Sequence, residues 1–160
     1  MALVLIVDDV LPLAQQYAYD LKRVGGYDTM VATGGAQALE IIASDAVDCV
    51  ILDLEMPGVD GFEVLRRLSD LEDTTPVIVY TGTGDFDRCM KAVRLGAYSF
   101  IDKEESMERV AREVKNALER VRLESEVAAL RRDLGTDSPI IGSSEPMRTL
   151  KEKISKVAGI

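Results

Sequence analysis

The feature that most constrains the fold is an alternation of short apolar runs with stretches of helical periodicity. Short, continuous apolar runs are typical of strands that are buried on both faces of a sheet. We assign strands to 3–7, 29–32, 47–53, 76–81 and 98–101. Helical stretches separate these runs, so crossover connections make neighbouring strands parallel. The sequence therefore predicts an α/β fold with a doubly wound, five-stranded parallel sheet.

Apolar residues at helical spacing, with breakers between them, define the connecting helices. We predict helices at 12–24, 34–44, 61–68 and 85–95. Pro12 falls in the first turn of the first helix, where proline is tolerated. Gly96 follows the fourth helix and suits a C-terminal cap.

A longer helix is predicted from Ser106 to Leu134, a stretch without glycine or proline. Ser106 suits the N-cap. The helix carries two apolar stripes on different faces. The first consists of Met107, Val110, Val114, Leu118 and Val121, and the second of Leu123, Val127, Leu130 and Leu134. We expect the first stripe to cover the sheet and the second to meet a partner helix in a dimeric coiled coil. Alternatively, the second stripe packs within its own chain or on a further domain.

The composition narrows the function classes. A net charge of −9 disfavours direct binding of nucleic acid, and the lack of histidine excludes histidine-based acid–base catalysis. The spacing of Cys49 and Cys89 indicates neither a zinc site nor a disulfide framework, and Cys49 is expected to be a buried core thiol. The N-terminal apolar run meets Asp8 at once, which is too short for a signal peptide or membrane span. We therefore expect a cytoplasmic protein without membrane contact.

Polar residues stand where four of the predicted strands end. Asp8 and Asp9 follow the first strand, Asp53 ends the third, Thr81 ends the fourth, and Lys103 follows the fifth. Because all strands of a parallel sheet point the same way, these side chains are expected to converge at one edge. Ligands of open parallel sheets bind at that edge.

These residue types favour one kind of chemistry. Crowded carboxylates repel each other, and Mg²⁺, which prefers oxygen ligands and carboxylate sites, relieves that repulsion. An ionised aspartate can act as a nucleophile and form an aspartyl phosphate. Lys103 can pair with phosphoryl oxygens, and Thr81 can donate a hydrogen bond to one of them. The set indicates magnesium-assisted phosphoryl transfer onto an aspartate.

Five motifs resemble those of response regulator receiver domains in two-component signalling. They are VDD (7–9), DLEMPGVDG (53–61), YTG (80–82), LGA (95–97) and FIDK (100–103). The resemblance spans about residues 3–120. It implies a flavodoxin-like receiver fold for residues 1–120, with an extended C-terminal helix.

The resemblance also implies roles for the residues at the strand ends. Asp53 would be the phosphoacceptor, receiving its phosphoryl group from a sensor histidine kinase. Asp9 and Asp53 would bind Mg²⁺ directly, Asp8 would act largely through water, and Glu55 would contribute its backbone carbonyl. Such a domain is a signalling phosphoacceptor rather than an enzyme.

The same resemblance implies a switch pair, Thr81 and Phe100. Thr81 would move toward the phosphoryl group, and the Phe100 ring would turn inward to fill the space. Two departures stand out: Phe100 replaces a frequent tyrosine, and Glu104 follows Lys103 where most relatives have proline. The second departure leaves the geometry of the loop after Lys103 open.

The C-terminal segment shows a second resemblance. Residues 135–139 are a linker by composition, and 139–158 are similar to the start of the AAA+ domain of NtrC-like, sigma-54-dependent transcriptional activators. Residues 121–136 would then be a dimerising helical linker, and 137–160 the N-terminal part of the ATPase domain. Contacts with DNA and sigma-54 RNA polymerase would be made only by domains outside this sequence.

Two alternative functions remain open. Magnesium-dependent phosphohydrolases also use an aspartate nucleophile, but they usually carry a second aspartate two residues later, where this chain has Glu55. The domain could also be an interaction module that is never phosphorylated, although its full acidic set and Lys103 argue against that.

Overall fold

The structure is a computed structural model that describes residues 2–82 and 86–136, with side chains described up to Arg131 in the last helix. The strands are β1 (Leu3–Val7), β2 (Asp28–Ala32), β3 (Cys49–Leu52), β4 (Val77–Thr81) and β5 (Ser99–Asp102). The helices are α1 (Leu11–Gly25), α2 (Gly35–Ser44), α3 (Gly61–Asp70), α4 (Phe86–Arg94) and α5 (Met107–Thr136). The predicted elements are confirmed, with shifts of a few residues at their ends. The segment 137–160, assigned to an AAA+ domain, lies outside the described residues.

The five strands form one parallel sheet in the order β2-β1-β3-β4-β5. Their side chains alternate between two apolar clusters, one on each face. Residues of α2, α3 and α4 pack on one face, and residues of α1 and α5 pack on the other. The doubly wound α/β fold is therefore confirmed. Within the described residues, no helix combines the length and apolar character needed to cross a membrane.

The strand register determines which polar residues become neighbours. Val7 of β1 pairs with Leu52 of β3, so the residues that follow them, Asp8 and Asp53, lie side by side. The Asp53 N–H donates to the Val7 carbonyl at 3.0 Å, which extends the pairing by one residue. This extension fixes the backbone of Asp53 against the neighbouring strand.

Four residues of the first apolar stripe of α5, Met107, Val110, Val114 and Leu118, pack on the sheet as predicted, whereas Val121 is not part of that cluster. Val110 and Val114 are fully buried against the sheet, as is Ala117, a residue that the stripe did not include. The Ser106 hydroxyl accepts a hydrogen bond from the Arg109 N–H at 3.2 Å, which confirms the predicted N-cap. Residues up to Glu119 form one compact unit, and the part of α5 from Arg120 belongs to a second.

Cys49 is the buried core thiol that the sequence predicts, with no exposed surface. Burial raises the pKa of its thiol to about 12.

The buried Cys49 thiol should react slowly with alkylating reagents, because the thiolate is the reactive form. In a Cys89→Ser variant at pH 8, we expect alkylation of Cys49 to be at least about three orders of magnitude slower than that of a free cysteine. A time course of alkylation by mass spectrometry checks this. Native protein reacting as fast as urea-unfolded protein would contradict it.

Candidate functional site

The predicted polar residues converge at the carboxyl edge of the sheet. The Lys103 ammonium lies 2.7 Å from Asp8 Oδ2 and 3.1 Å from Asp53 Oδ2. The Thr81 hydroxyl donates to Asp53 Oδ1 at 3.3 Å. Asp53 therefore sits between an ammonium and a hydroxyl that come from two other strand ends.

Three carboxylates form a compact oxygen cluster beside Asp53. Asp8, Asp9 and Asp53 each offer an oxygen, and these oxygens all lie within 4.8 Å of one another. Asp8 and Asp53 are buried, while Asp9 is exposed and keeps the cluster open to solvent. Carboxylate oxygens at this spacing, with one open side for water and phosphate oxygens, fit the ligand preferences of Mg²⁺.

Backbone groups hold the two buried carboxylates in place. The Glu55 N–H donates to Asp53 Oδ1 at 3.2 Å, and the Val10 N–H donates to Asp8 Oδ1 at 2.9 Å. Each of these N–H groups lies two residues after the aspartate that it binds, in the loop that leaves the strand. The carboxylates are thus oriented by the chain that carries them, so little reorganisation is needed when a ligand binds.

Lys103 is held in its charged form. Burial by itself would lower the pKa of its ammonium, but hydrogen bonds and charge from Asp8 and Asp53 outweigh burial and raise that pKa. The same ammonium compensates two buried carboxylates, whose desolvation would otherwise be costly. Lys103 therefore contributes both to stability and to the positive charge available at the site.

The contact made by the Glu55 side chain was not predicted from the sequence. The side chain forms an ion pair with Arg88 of α4, which also stacks over the Phe62 ring with its guanidinium carbon 5.3 Å from the centroid. The Glu55 side chain is more than half exposed. It therefore connects the loop after Asp53 to α4. The role of its backbone carbonyl as a metal ligand stays a prediction.

Phe100 lies on β5 with its ring turned partly to solvent. It is 36% exposed and contacts Phe86 edge-on, with ring centroids 6.5 Å apart. A cavity of about 290 Å³ lies beside it, and Thr81, Cys89 and Ile101 contribute to its lining. The two predicted switch residues thus border one cavity.

Tyr80 and Tyr17 were not predicted to take part in the site. Their rings pack edge to face behind the site, with centroids 5.3 Å apart. A tyrosine directly after three aliphatic residues of a buried strand was the available signal for Tyr80, because a buried hydroxyl requires a hydrogen-bond partner.

The comparisons with known proteins agree on one family. The profile of the family described as response regulator receiver domain matches residues 4–115. A C4-dicarboxylate transport transcriptional regulatory protein, DctD of Pseudomonas aeruginosa, is 35% identical in an alignment 163 positions long that covers 98% of this chain and 35% of that protein. This chain therefore spans about a third of the length of that relative.

Shorter relatives match over nearly their whole length. Sporulation initiation phosphotransferase F of Bacillus subtilis is 32% identical over 72% of this chain and 92% of its own. The solved signal receiver domain of a putative Luxo repressor protein from Vibrio parahaemolyticus superposes with a TM-score of 0.73 at 29% identity, covering 79% of this chain and 96% of that one.

Proposed function

Because this chain belongs to the family of response regulator receiver domains, we propose that Asp53 accepts a phosphoryl group from a sensor histidine kinase. The observation that carries the proposal is the setting of the Asp53 carboxylate. It lies 3.1 Å from the Lys103 ammonium, 3.3 Å from the Thr81 hydroxyl and beside the oxygens of Asp8 and Asp9. These groups supply a nucleophile, a cation, a hydroxyl donor and metal ligands in one place.

The transfer step uses the chain's own residues as follows. A carboxylate oxygen of Asp53 attacks phosphorus, and the bond from phosphorus to the donor's imidazole nitrogen breaks, with the electron pair remaining on nitrogen. Lys103 pairs with the incoming phosphoryl oxygens, and Thr81 transfers its hydrogen bond from Asp53 to one of them. Asp8, Asp9 and Asp53, with the Glu55 carbonyl, would hold Mg²⁺. When bound, the ion would neutralise part of the negative charge at this edge of the sheet.

The same residues suggest how the phosphoryl group is sensed. Movement of Thr81 toward the phosphoryl group would enlarge the cavity beside it, and the Phe100 ring would turn inward to occupy that space. The partly exposed Phe100 ring and the cavity beside it support this, because the ring would gain burial when it turns inward. Phosphorylation would then shift a two-state equilibrium between outward and inward Phe100.

The proposed output is a homodimer through the end of α5. Leu123, Val127 and Leu130 are 51%, 45% and 62% exposed, respectively, on one stripe. Arg120 and Arg122 form ion pairs with Glu124 and Glu126 beside it. An exposed apolar stripe flanked by charges suits a coiled-coil seam between two copies.

We further propose that this helix couples the receiver to an AAA+ ATPase of a sigma-54-dependent activator. DctD, which matches almost all of this chain, is named a transcriptional regulatory protein. The similarity of residues 139–158 to the start of such ATPase domains points the same way. DNA and sigma-54 RNA polymerase would be contacted by those further domains, in the cytoplasm.

The dimer is tested by Leu130→Asp. This change places a charge in the proposed seam, where no partner neutralises it, so we expect the dimer to become monomeric at micromolar concentration. Sedimentation velocity measures the change, with Ser125→Asp, on another face of the helix, as the matched control. If Leu130→Asp sediments as a dimer, the second stripe is not the interface.

The phosphoacceptor function is tested with a small phosphodonor. Incubation with acetyl phosphate and Mg²⁺ should give one phosphoryl group per chain and then a plateau. Continuous release of phosphate from a phosphomonoester would instead support the phosphohydrolase alternative. Wild-type protein that takes up no phosphoryl group would support an unphosphorylated interaction module.

A further inference from the structure

A buried tyrosine lies directly behind the loop that carries Lys103. Tyr80, on β4, is 3% exposed. Its hydroxyl oxygen lies 3.2 Å from the carbonyl oxygen of Lys103 and 3.1 Å from that of Glu105. The single hydroxyl proton is shared between two carbonyls that flank Glu104. Burial raises the pKa of the Tyr80 phenol, so the hydroxyl keeps its proton and remains a donor.

The loop between β5 and α5 is held by hydrogen bonds to its backbone. Glu104 has no ring to restrict its backbone, in contrast to proline. The Glu104 N–H is bound by the Asp102 side chain at 2.8 Å, and the Lys103 N–H donates to the Thr81 carbonyl at 3.1 Å. Tyr80 adds the hydrogen bonds to the carbonyls on both sides of Glu104, so the backbone is held from each direction.

Tyr17 reaches the other end of Lys103. The Lys103 ammonium lies 5.8 Å from the centroid of the Tyr17 ring, which is within the range of a cation–π contact. The Tyr17 ring in turn packs edge-on against Tyr80 at an interplanar angle of 77°. The tyrosine pair thus contacts Lys103 at its backbone carbonyl and at its charged end.

We propose that Tyr80, supported by Tyr17, is a positioning residue that holds the Lys103 loop so that the ammonium faces Asp53. The inference rests on the proposed function, because it assigns Tyr80 a part in phosphoryl transfer through Lys103. Small errors in the placement of a group that acts on the reacting atoms lower rates strongly. The hydroxyl is the part of Tyr80 that reaches the loop, and the ring fills the core.

The test removes that hydroxyl alone. Tyr80→Phe keeps the ring, and we expect the rate of Asp53 phosphorylation by acetyl phosphate to fall roughly three- to tenfold, the equivalent of one hydrogen bond. Tyr19→Phe makes the same chemical change at a tyrosine that is 63% exposed and should phosphorylate at the wild-type rate. Intact-mass spectrometry gives the rates.

The Lys103→Met variant distinguishes a role of Tyr80 in positioning Lys103 from a general effect of Tyr80 on the structure. In Lys103→Met protein, adding Tyr80→Phe should cause no further loss of rate, because the group that Tyr80 positions is gone. A wild-type rate in Tyr80→Phe, or an equal fractional loss in the Lys103→Met background, would overturn the inference.

Hydrogen exchange of the backbone amides tests the role of Tyr80 without phosphorylation. The Lys103 amide should exchange faster in Tyr80→Phe than in wild type, while amides in the middle of β1 remain unchanged. Unchanged exchange at Lys103 would overturn the inference. Failure of wild-type protein to accept a phosphoryl group would instead overturn the proposed function, and loop exchange would still decide whether Tyr80 holds Lys103.

Discussion

Replacing Asp53 with asparagine is expected to abolish phosphorylation of the chain. Asparagine has almost the same shape, but its neutral amide is not a nucleophile toward phosphorus and cannot form an acyl phosphate. Asp8 and Asp9 lie within the same cluster but at the end of a different strand. The Thr81 hydroxyl is directed at Asp53, which makes Asp53 the carboxylate best placed for attack.

The measurement is intact mass after incubation with acetyl phosphate and Mg²⁺. Asp70→Asn, an exposed aspartate in the last turn of α3, is the matched control and should gain one phosphoryl group like wild type. Undiminished labelling of Asp53→Asn would show that another carboxylate is the acceptor. The unfolding midpoints of both variants in urea ensure that a loss of labelling reflects chemistry rather than loss of fold.

Gly61→Ala is expected to destabilise the fold by about 2–3 kcal/mol, the cost of overpacking a rigid site. A Cβ atom at Gly61 would lie 2.7 Å from both the Asp53 carbonyl oxygen and the Leu54 Cα. Both are backbone atoms, so no side-chain rotation relieves the clash. Helix propensity alone would favour alanine at this first residue of α3, so close packing reverses the expected sign.

Gly34→Ala is the matched control for this prediction. Gly34 has extended backbone (φ −167°), and a Cβ there meets nothing within 4 Å. We expect the free energy of unfolding of Gly34→Ala to differ from that of wild type by no more than about 1 kcal/mol, a typical effect of a substitution at a helix N-cap. Urea denaturation measures both variants. Equal stability of Gly61→Ala and wild type would mean that the loop after Asp53 is less tightly packed than described.

The convergence of the site residues was predictable because it follows from topology alone. Once the strands are parallel, residues that end them must share an edge, which places Asp8, Asp53, Thr81 and Lys103 together without any knowledge of side-chain contacts. The capping role of Ser106 was predictable for a similar reason, because capping is a local interaction.

Contacts that depend on how helices and loops are oriented were not predictable. The ion pair of Glu55 with Arg88 joins residues 33 positions apart and depends on the rotation of α4. The hydrogen bonds of Tyr80 depend on the path of the loop after Lys103, which a missing proline left open. Neither arrangement produces a periodic pattern in the sequence, so only the packed structure reveals them.

Direct identification of the phosphorylated residue tests the central proposal most directly. After incubation with acetyl phosphate, borohydride reduces an aspartyl phosphate to homoserine, and peptide mapping then locates the modified position. The account predicts homoserine at position 53 alone, in a reaction that requires Mg²⁺ and stops when the metal is chelated. Modification at Asp8 or Asp9, or labelling that is unaffected by chelation, would contradict it.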